Sequence, residues 1–159
     1  MELNHQIVTA PPRAAASVLL LRDAPGGLEI FMVKRHGASD VLGGAYVFPG
    51  GKVDTADREE VCIGCLEEAP GALHHKLAEP ELEPAVAAAT FFAACRETFE
   101  ESGILLAPRA GGAEQREAMT LARGGRPFAE ICRHLGLTIA ASRLVPWSRW
   151  ITPVIPSVQ

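Results

Sequence analysis

The chain of 159 residues carries 15 lysines and arginines against 19 aspartates and glutamates, a formal net charge of −4 with a pI near 5.7. With 48% hydrophobic and 21% charged residues it has the composition of one globular domain with a real core, not of a tail or a linker. The acidic balance gives no electrostatic reason to expect a nucleic-acid duplex or an anionic membrane as partner, so an anionic small molecule would need local basic groups or a metal ion.

Residues 1–13 are polar with Pro11-Pro12 and read as a lead-in, with no basic stretch of the kind that opens a signal peptide. Ala14 to Leu21 is apolar and predicts a buried strand too short to span a membrane. Asp23-Ala24-Pro25-Gly26-Gly27 predicts a turn, and Leu28 to Arg35 a second strand that completes a hairpin. Gly37 to Ala45 is a glycine-containing loop after the basic cluster Lys34-Arg35-His36, which suits either a solvated strand end or contact with phosphate. Tyr46-Val47-Phe48 is a short strand ending at Pro49-Gly50-Gly51, where a glycine pair lets backbone approach a ligand closely or simply ends the strand.

From about residue 55 to residue 83 the pattern weakens into mixed acidic sequence with Pro70-Gly71 and Pro80, which predicts an insertion with one or two short helices inside a single domain spanning 14–159. A helix of about five turns follows, because Pro84 suits its first turn, Gly103 suits the position after its last, and Ala88, Phe92, Cys95 and Phe99 form an apolar stripe. Ile104-Leu105-Leu106 reads as a strand, and Glu114 to Arg123 and Phe128 to His134 as helices. Leu144 to Ile151 looks extended, with Trp147 and Trp150 read as core or edge packing in preference to a base-stacking platform.

Cysteines 62, 65, 95 and 132 are too scattered for a disulfide framework, and a reducing cytosol is the expected compartment. Cys62-x-x-Cys65 with His74-His75 offers zinc-type ligands at a spacing that matches no closed zinc motif, and leaves a zinc-stabilised regulatory domain as a minor alternative.

The opposite face of the 84–102 helix is electrostatically awkward. At about 100° per residue, Glu97, Glu100 and Glu101 project from one side of its final turns. Like charges at i,i+3 and i,i+4 each cost roughly 0.2–0.5 kcal/mol, and acids in a last turn oppose the helix dipole. A cation on that face is the simplest remedy, and Mg²⁺ or Mn²⁺ takes carboxylate oxygens while leaving positions for water and phosphate. A plain solvated helix face is the bland alternative.

Phe48-Pro49-Gly50-Gly51, followed by Arg96-Glu97-x-apolar-Glu100-Glu101-x-Gly103-apolar, resembles the two ends of the Nudix signature. The five fixed residues of the second half would recur by chance in such a chain with odds on the order of one in ten thousand. One departure stands out. The signature has a glutamate six residues after its glycine and an arginine eight further on, whereas Asp57 takes the first place here and Arg96 follows roughly thirty residues late. That break resembles the Nudix subgroup related to a peroxisomal coenzyme A diphosphatase, and Tyr46 to Asp54 with Arg35-His36-Gly37 fit its pattern.

The resemblance implies an α/β fold, a Nudix-type α/β/α sandwich around a mixed sheet, and metal-dependent cleavage of a diphosphate linkage in a nucleotide-type substrate, coenzyme A or its esters first. It implies Glu97, Glu100 and Glu101 as ligands of Mg²⁺ or Mn²⁺ with the Gly50 carbonyl, Arg96 as the residue orienting a helix glutamate, and Glu97 or Glu100 as general base. Arg35, His36 and Gly51 are the candidates for substrate contact, whereas Asp57 is expected to be a loop acid more than a ligand. A homodimer is an expectation of the superfamily alone. The subgroup leads one to expect a further strand and helix after Trp150-Ile151-Thr152-Pro153, so C-terminal truncation and a catalytically silent binding or interaction module form the alternative reading.

Overall fold

A computed structural model describes residues 12–38 and 43–151. Most of the lead-in, the middle of the glycine loop and the stretch after Ile151 lie outside the described residues. The apolar run at 14–21 is not one strand. Ala15–Ser17 (β1) pairs antiparallel with Gly50–Lys52 (β6), whereas Leu20–Ala24 (β2) turns through Pro25-Gly26 to pair with Gly27–Phe31 (β3). Val33–Lys34 (β4) pairs antiparallel with Tyr46–Val47 (β5). The β1–β6 ladder extends at both ends, with the Val18 N–H donating to Pro49 O at 2.8 Å and the Val53 N–H to Ala14 O at 2.9 Å. Its backbones are so close that a Cβ at Gly50 would overlap Ala16 and Ser17.

The stretch 55–83, where the sequence predicts one or two short helices, holds a 3₁₀ turn at Thr55–Arg58 and two helices, Glu60–Ile63 (α1) and Pro70–Leu77 (α2). Pro84–Ser102 (α3) begins at a proline and ends at Gly103, whose φ of 73° favours glycine and whose N–H donates to Phe99 O at 2.7 Å. Ala88, Phe92, Cys95 and Phe99 are all buried, but so are Ala87, Ala89, Phe91, Ala93 and Ala94. Helix α3 is therefore the axis of the fold and not a one-sided surface helix. Its alanines let α2 and the β1–β6 ladder approach on several sides. Gly112–Arg123 (α4) and Phe128–His134 (α5) close the core, with Phe128 stacking at 5.7 Å from Phe92 and 5.2 Å from Phe99.

Three expectations need correction. The 14–21 run is largely uncovered, because α3 lies against β1 and β6 and not against the hairpin. Leu19, Leu21, Leu28, Ile30 and Met32 are between 40% and 62% exposed as a result. Ile104–Leu106 forms no ladder. It runs extended, held by the Leu105 N–H donating to Gln115 Oε1 at 3.3 Å and by Leu106 O accepting from the Ala140 N–H at 2.9 Å. Trp147 and Trp150 do not pack, being 89% and 88% exposed, since Pro146 interrupts their segment and no strand pairs with it among the described residues. No described helix is long and apolar enough to cross a membrane.

Phe92 is 1% exposed at the centre of this packing. Replacing it with Ala is expected to cost about 3–5 kcal/mol in urea unfolding, and a loss below about 1 kcal/mol would contradict the central position of α3.

Candidate active site

The last two turns of α3 bring Glu97, Glu100 and Glu101 to the edge of the β1–β6 ladder. Between them sits Arg96, whose side chain is 12% exposed. Its Nη1 donates to Glu97 Oε1 at 2.9 Å and to Glu100 Oε2 at 3.0 Å. Its Nε and Nη2 grip Asp57 side-on, at 2.8 Å to Oδ1 and 3.0 Å to Oδ2, and Nη2 also donates to Lys52 O at 3.1 Å. All five N–H groups of the guanidinium are thereby engaged.

Asp57 is 2% exposed and also accepts the Asp54 N–H at 2.8 Å. The expectation of a loop acid is corrected on this point, because the residue is the buried anchor of Arg96. Its position six residues after Gly51, where the Nudix signature has a glutamate, was the available signal. A carboxylate one methylene shorter still reaches Arg96 from the 3₁₀ turn.

The two glycines act on two different glutamates. The Gly50 N–H donates to Glu101 Oε2 at 3.0 Å, and a Cβ at Gly51 would overlap the Glu97 carboxylate. Gly51 thus lets Glu97 lie flat against the backbone of β6. Each glutamate is held by at least one named donor or by close packing, and each keeps an oxygen outside those hydrogen bonds.

Charge is unevenly balanced here. Four carboxylates, Asp54, Asp57, Glu97 and Glu100, lie 2.8–3.5 Å from one guanidinium, and Glu101 stands beside them on the Gly50 N–H. Desolvation pushes the Glu100 carboxyl above its ordinary range, with Glu97 and Asp57 adding to the rise while Arg96 opposes it. Desolvation would also lower the Arg96 pKa, but the hydrogen bond and charge of Asp57, with Glu100 and Glu97, outweigh it and hold the guanidinium charged.

An all-oxygen donor set with excess negative charge suits a hard divalent cation. Glu97, Glu100, Glu101 and the Gly50 carbonyl are the groups that could hold one. Among the described residues no three acidic, histidine or cysteine side chains converge closely enough to enclose an ion, and Arg96 engages one oxygen each of Glu97 and Glu100. The Cys-x-x-Cys does not meet the histidines. Cys62 and Cys65 are buried in the core, with Cys65 Sγ directed at Val61 O and Ala129 O, whereas His74 Nε2 bonds Glu79 O at 3.1 Å.

An open cleft of about 420 Å³ lies on the sheet side of the carboxylates, lined by Arg35, Tyr46, Met32, Gly50 and Glu101 among others. Arg35 therefore faces the site. His36 does not line this cleft, and its Nδ1 instead accepts the Ala38 N–H at 3.2 Å. Lys34 Nζ lies over the Tyr46 ring at 5.7 Å.

Comparison with known proteins follows the same lines. Residues 6–159 match the family described as the NUDT19 Nudix domain. Chicken "Acyl-coenzyme A diphosphatase NUDT19" is 32% identical over 191 aligned residues, covering 89% of this chain and 50% of that protein. The human protein of the same name is 27% identical, covering 81% of this chain and 44% of its own length. The chain thus spans about half the length of these relatives. A crystal structure of a NUDIX hydrolase from Alicyclobacillus acidocaldarius superposes with a TM-score of 0.60 at 28% identity, over 84% of this chain and 59% of that one. The split signature, its assembly around Arg96 and these matches agree that the chain belongs to the Nudix family, within the group defined by the NUDT19 Nudix domain.

Proposed function

We propose that this domain is a Mg²⁺- or Mn²⁺-dependent diphosphatase that cleaves the diphosphate linkage of coenzyme A esters. The observation that carries the reading is the carboxylate cluster on the end of α3, fixed against Gly50 and Gly51 by a fully engaged Arg96. The relatives' printed name supports the choice of acyl-coenzyme A. Four free, buried thiols fit a reducing compartment such as the cytosol.

When bound, the cation supplies neutralisation of the phosphoryl oxygens and a more acidic water. The chain's own residues do the rest. Arg35 pairs with phosphate in the sheet-side cleft, beside Tyr46. Glu97 is 17% exposed and pinned on Gly51, which makes it a positional ligand, whereas Glu100 is 45% exposed and is our choice to accept the proton of the attacking water. Arg96 and Asp57 keep the two glutamates in register.

Incubation with octanoyl-coenzyme A and Mg²⁺ or Mn²⁺ is expected to release two phosphomonoester products. Absence of cleavage there, and with free coenzyme A, ADP-ribose and dinucleoside polyphosphates, would sink the reading. Glu100→Gln is expected to abolish turnover while leaving the metal-free fold no less stable at neutral pH. The sign follows from the raised carboxyl pKa. Its favourable contribution is present below the unfolded-state pKa and is lost as pH rises through the folded one, so at pH 7 the ionised group is a net cost. A large drop in melting temperature in EDTA would contradict this.

Asp57→Asn loosens Arg96 without touching substrate, and a fall in kcat of about 10–100-fold with KM little changed is expected. Wild-type kcat would remove Asp57 from the machinery. Mg²⁺ or Mn²⁺ at a hundred times its dissociation constant should stabilise the fold by about 2.7 kcal/mol. Thermal unfolding with and without EDTA measures this, and an equal shift in a variant with all three glutamates changed to Gln would place the ion elsewhere.

A further inference from the structure

The β2–β3 hairpin has two unlike faces. Leu21 stands opposite Ile30 and Asp23 opposite Leu28, whereas Arg22 stands opposite Glu29. Side chains alternate along a strand, so Arg22 and Glu29 occupy the other face, where they pair at 2.6 Å. Leu19 and Met32 lie one residue beyond the last pair of the ladder, and the same alternation carries the Leu21–Ile30 face on to them. Leu19, Leu21, Leu28, Ile30 and Met32 thus make one apolar strip, each residue between 40% and 62% exposed. Single exposed apolar side chains are ordinary, but a contiguous strip of five marks a surface that takes an apolar ligand or partner.

The strip runs into the sheet-side cleft. Met32 belongs to both, and Ser17, two residues before Leu19, lines the cleft as well. Arg35, three residues after Met32, also lines it, so the strip leads out in the opposite direction, toward the turn at Pro25-Gly26. From Met32 to Leu28 it extends about 13 Å, at ~3.3 Å per residue. Charge is graded along this path. Lys34, next in the alternation after Met32, lies over Tyr46 at the cleft end beside Arg35, whereas Ile30, Leu21 and Leu28 carry none. A cationic cleft continued by an apolar strip fits an amphiphile whose phosphates and tail are well separated. An acyl thioester of a diphosphate-linked nucleotide is such a molecule, because a long arm stands between its diphosphate and its tail. With the diphosphate at the carboxylates, that tail lies beyond the cleft.

Resting on the diphosphatase reading above, we propose that the strip of Leu19, Leu21, Leu28, Ile30 and Met32 receives the acyl tail of a thioester substrate, while the arm that joins tail to diphosphate passes over Met32. The strip covers one flank of the tail and leaves the other to water. It therefore favours a longer tail over a shorter one until the chain reaches Leu28, and sets no sharp upper limit.

A methyl NMR titration reads the strip directly, in Glu100→Gln protein with Mg²⁺, where no turnover is expected. The protein carries ¹³C-methyl isoleucine and methionine, and Ile30→Val and Met32→Leu assign the two signals. Octanoyl-coenzyme A is expected to shift both Ile30 and Met32, whereas free coenzyme A leaves Ile30 in place. An unmoved Ile30 overturns the proposal. So does an equal Ile30 shift with octanoate alone at the same concentration, since the strip would then take any tail without help from the cleft. A shift of Ile30 on diluting the protein, with none on adding the ester, would give the strip to a second copy and overturn it too. In parallel, Leu21→Asp places a charge opposite Ile30, and the ratio of kcat/KM for octanoyl-coenzyme A to that for free coenzyme A is expected to fall about tenfold. An unchanged ratio counts against the proposal in the same way. If the wild-type protein hydrolyses neither compound but Ile30 responds to the ester and not to octanoate, the hydrolase reading fails and the assignment of the strip stands.

Discussion

Everything at the site depends on one guanidinium. Arg96 spends all of its N–H donors on Asp57, Glu97, Glu100 and the Lys52 carbonyl, and in doing so ties the insertion, β6 and the end of α3 to one point. A charge this buried would be destabilising alone, because desolvation works against it. It is tolerable only because a nearly inaccessible carboxylate faces it in bidentate geometry. A lysine could not substitute, since a point charge with three donors cannot serve four acceptor groups at once.

The remaining carboxylates are left in excess, and the fold sustains them from elsewhere. Desolvation and like-charge repulsion raise the Glu100 pKa, a cost borne by the close packing of α3, which is buried on nearly every side. This is the usual division between a rigid, apolar axis and a strained polar end, in which the groups that favour ligand chemistry oppose the stability of the empty protein.

Local signals in the sequence were legible where local physics decides. Pro84 and Gly103 delimit α3 because a missing N–H and a positive φ are demands that only those residues meet cheaply. Phe128 to His134 was likewise readable as a helix, and the glycine pair with the three glutamates marked both halves of the site. What the sequence hid was set by distant partners. Asp57 looks like any acid in a turn until Arg96, 39 positions away, is folded onto it. The run at 14–21 has the apolar content of a buried strand, but its burial depends on which strand α3 covers, and α3 covers β1 while leaving β2 bare. Trp147 and Trp150 carry the same lesson, since large apolar side chains state a preference for burial that only a neighbouring element can meet.

The long gap between the two halves of the signature has a consequence for the chain as it leaves the ribosome. The β2–β3 hairpin is local and can form as soon as it emerges. The β1–β6 ladder must wait for a further stretch of chain, and it has no helix to lie against until residues 84–102 have followed. Throughout that interval Leu19, Leu21, Leu28 and Ile30, which α3 does not cover, stay open to water, while the strand edges that α3 will flank are open too. Slow translation across the insertion would lengthen this exposed period. Chaperone dependence of the nascent protein should therefore track elongation speed between residues 52 and 84 more closely than the stability of the completed fold.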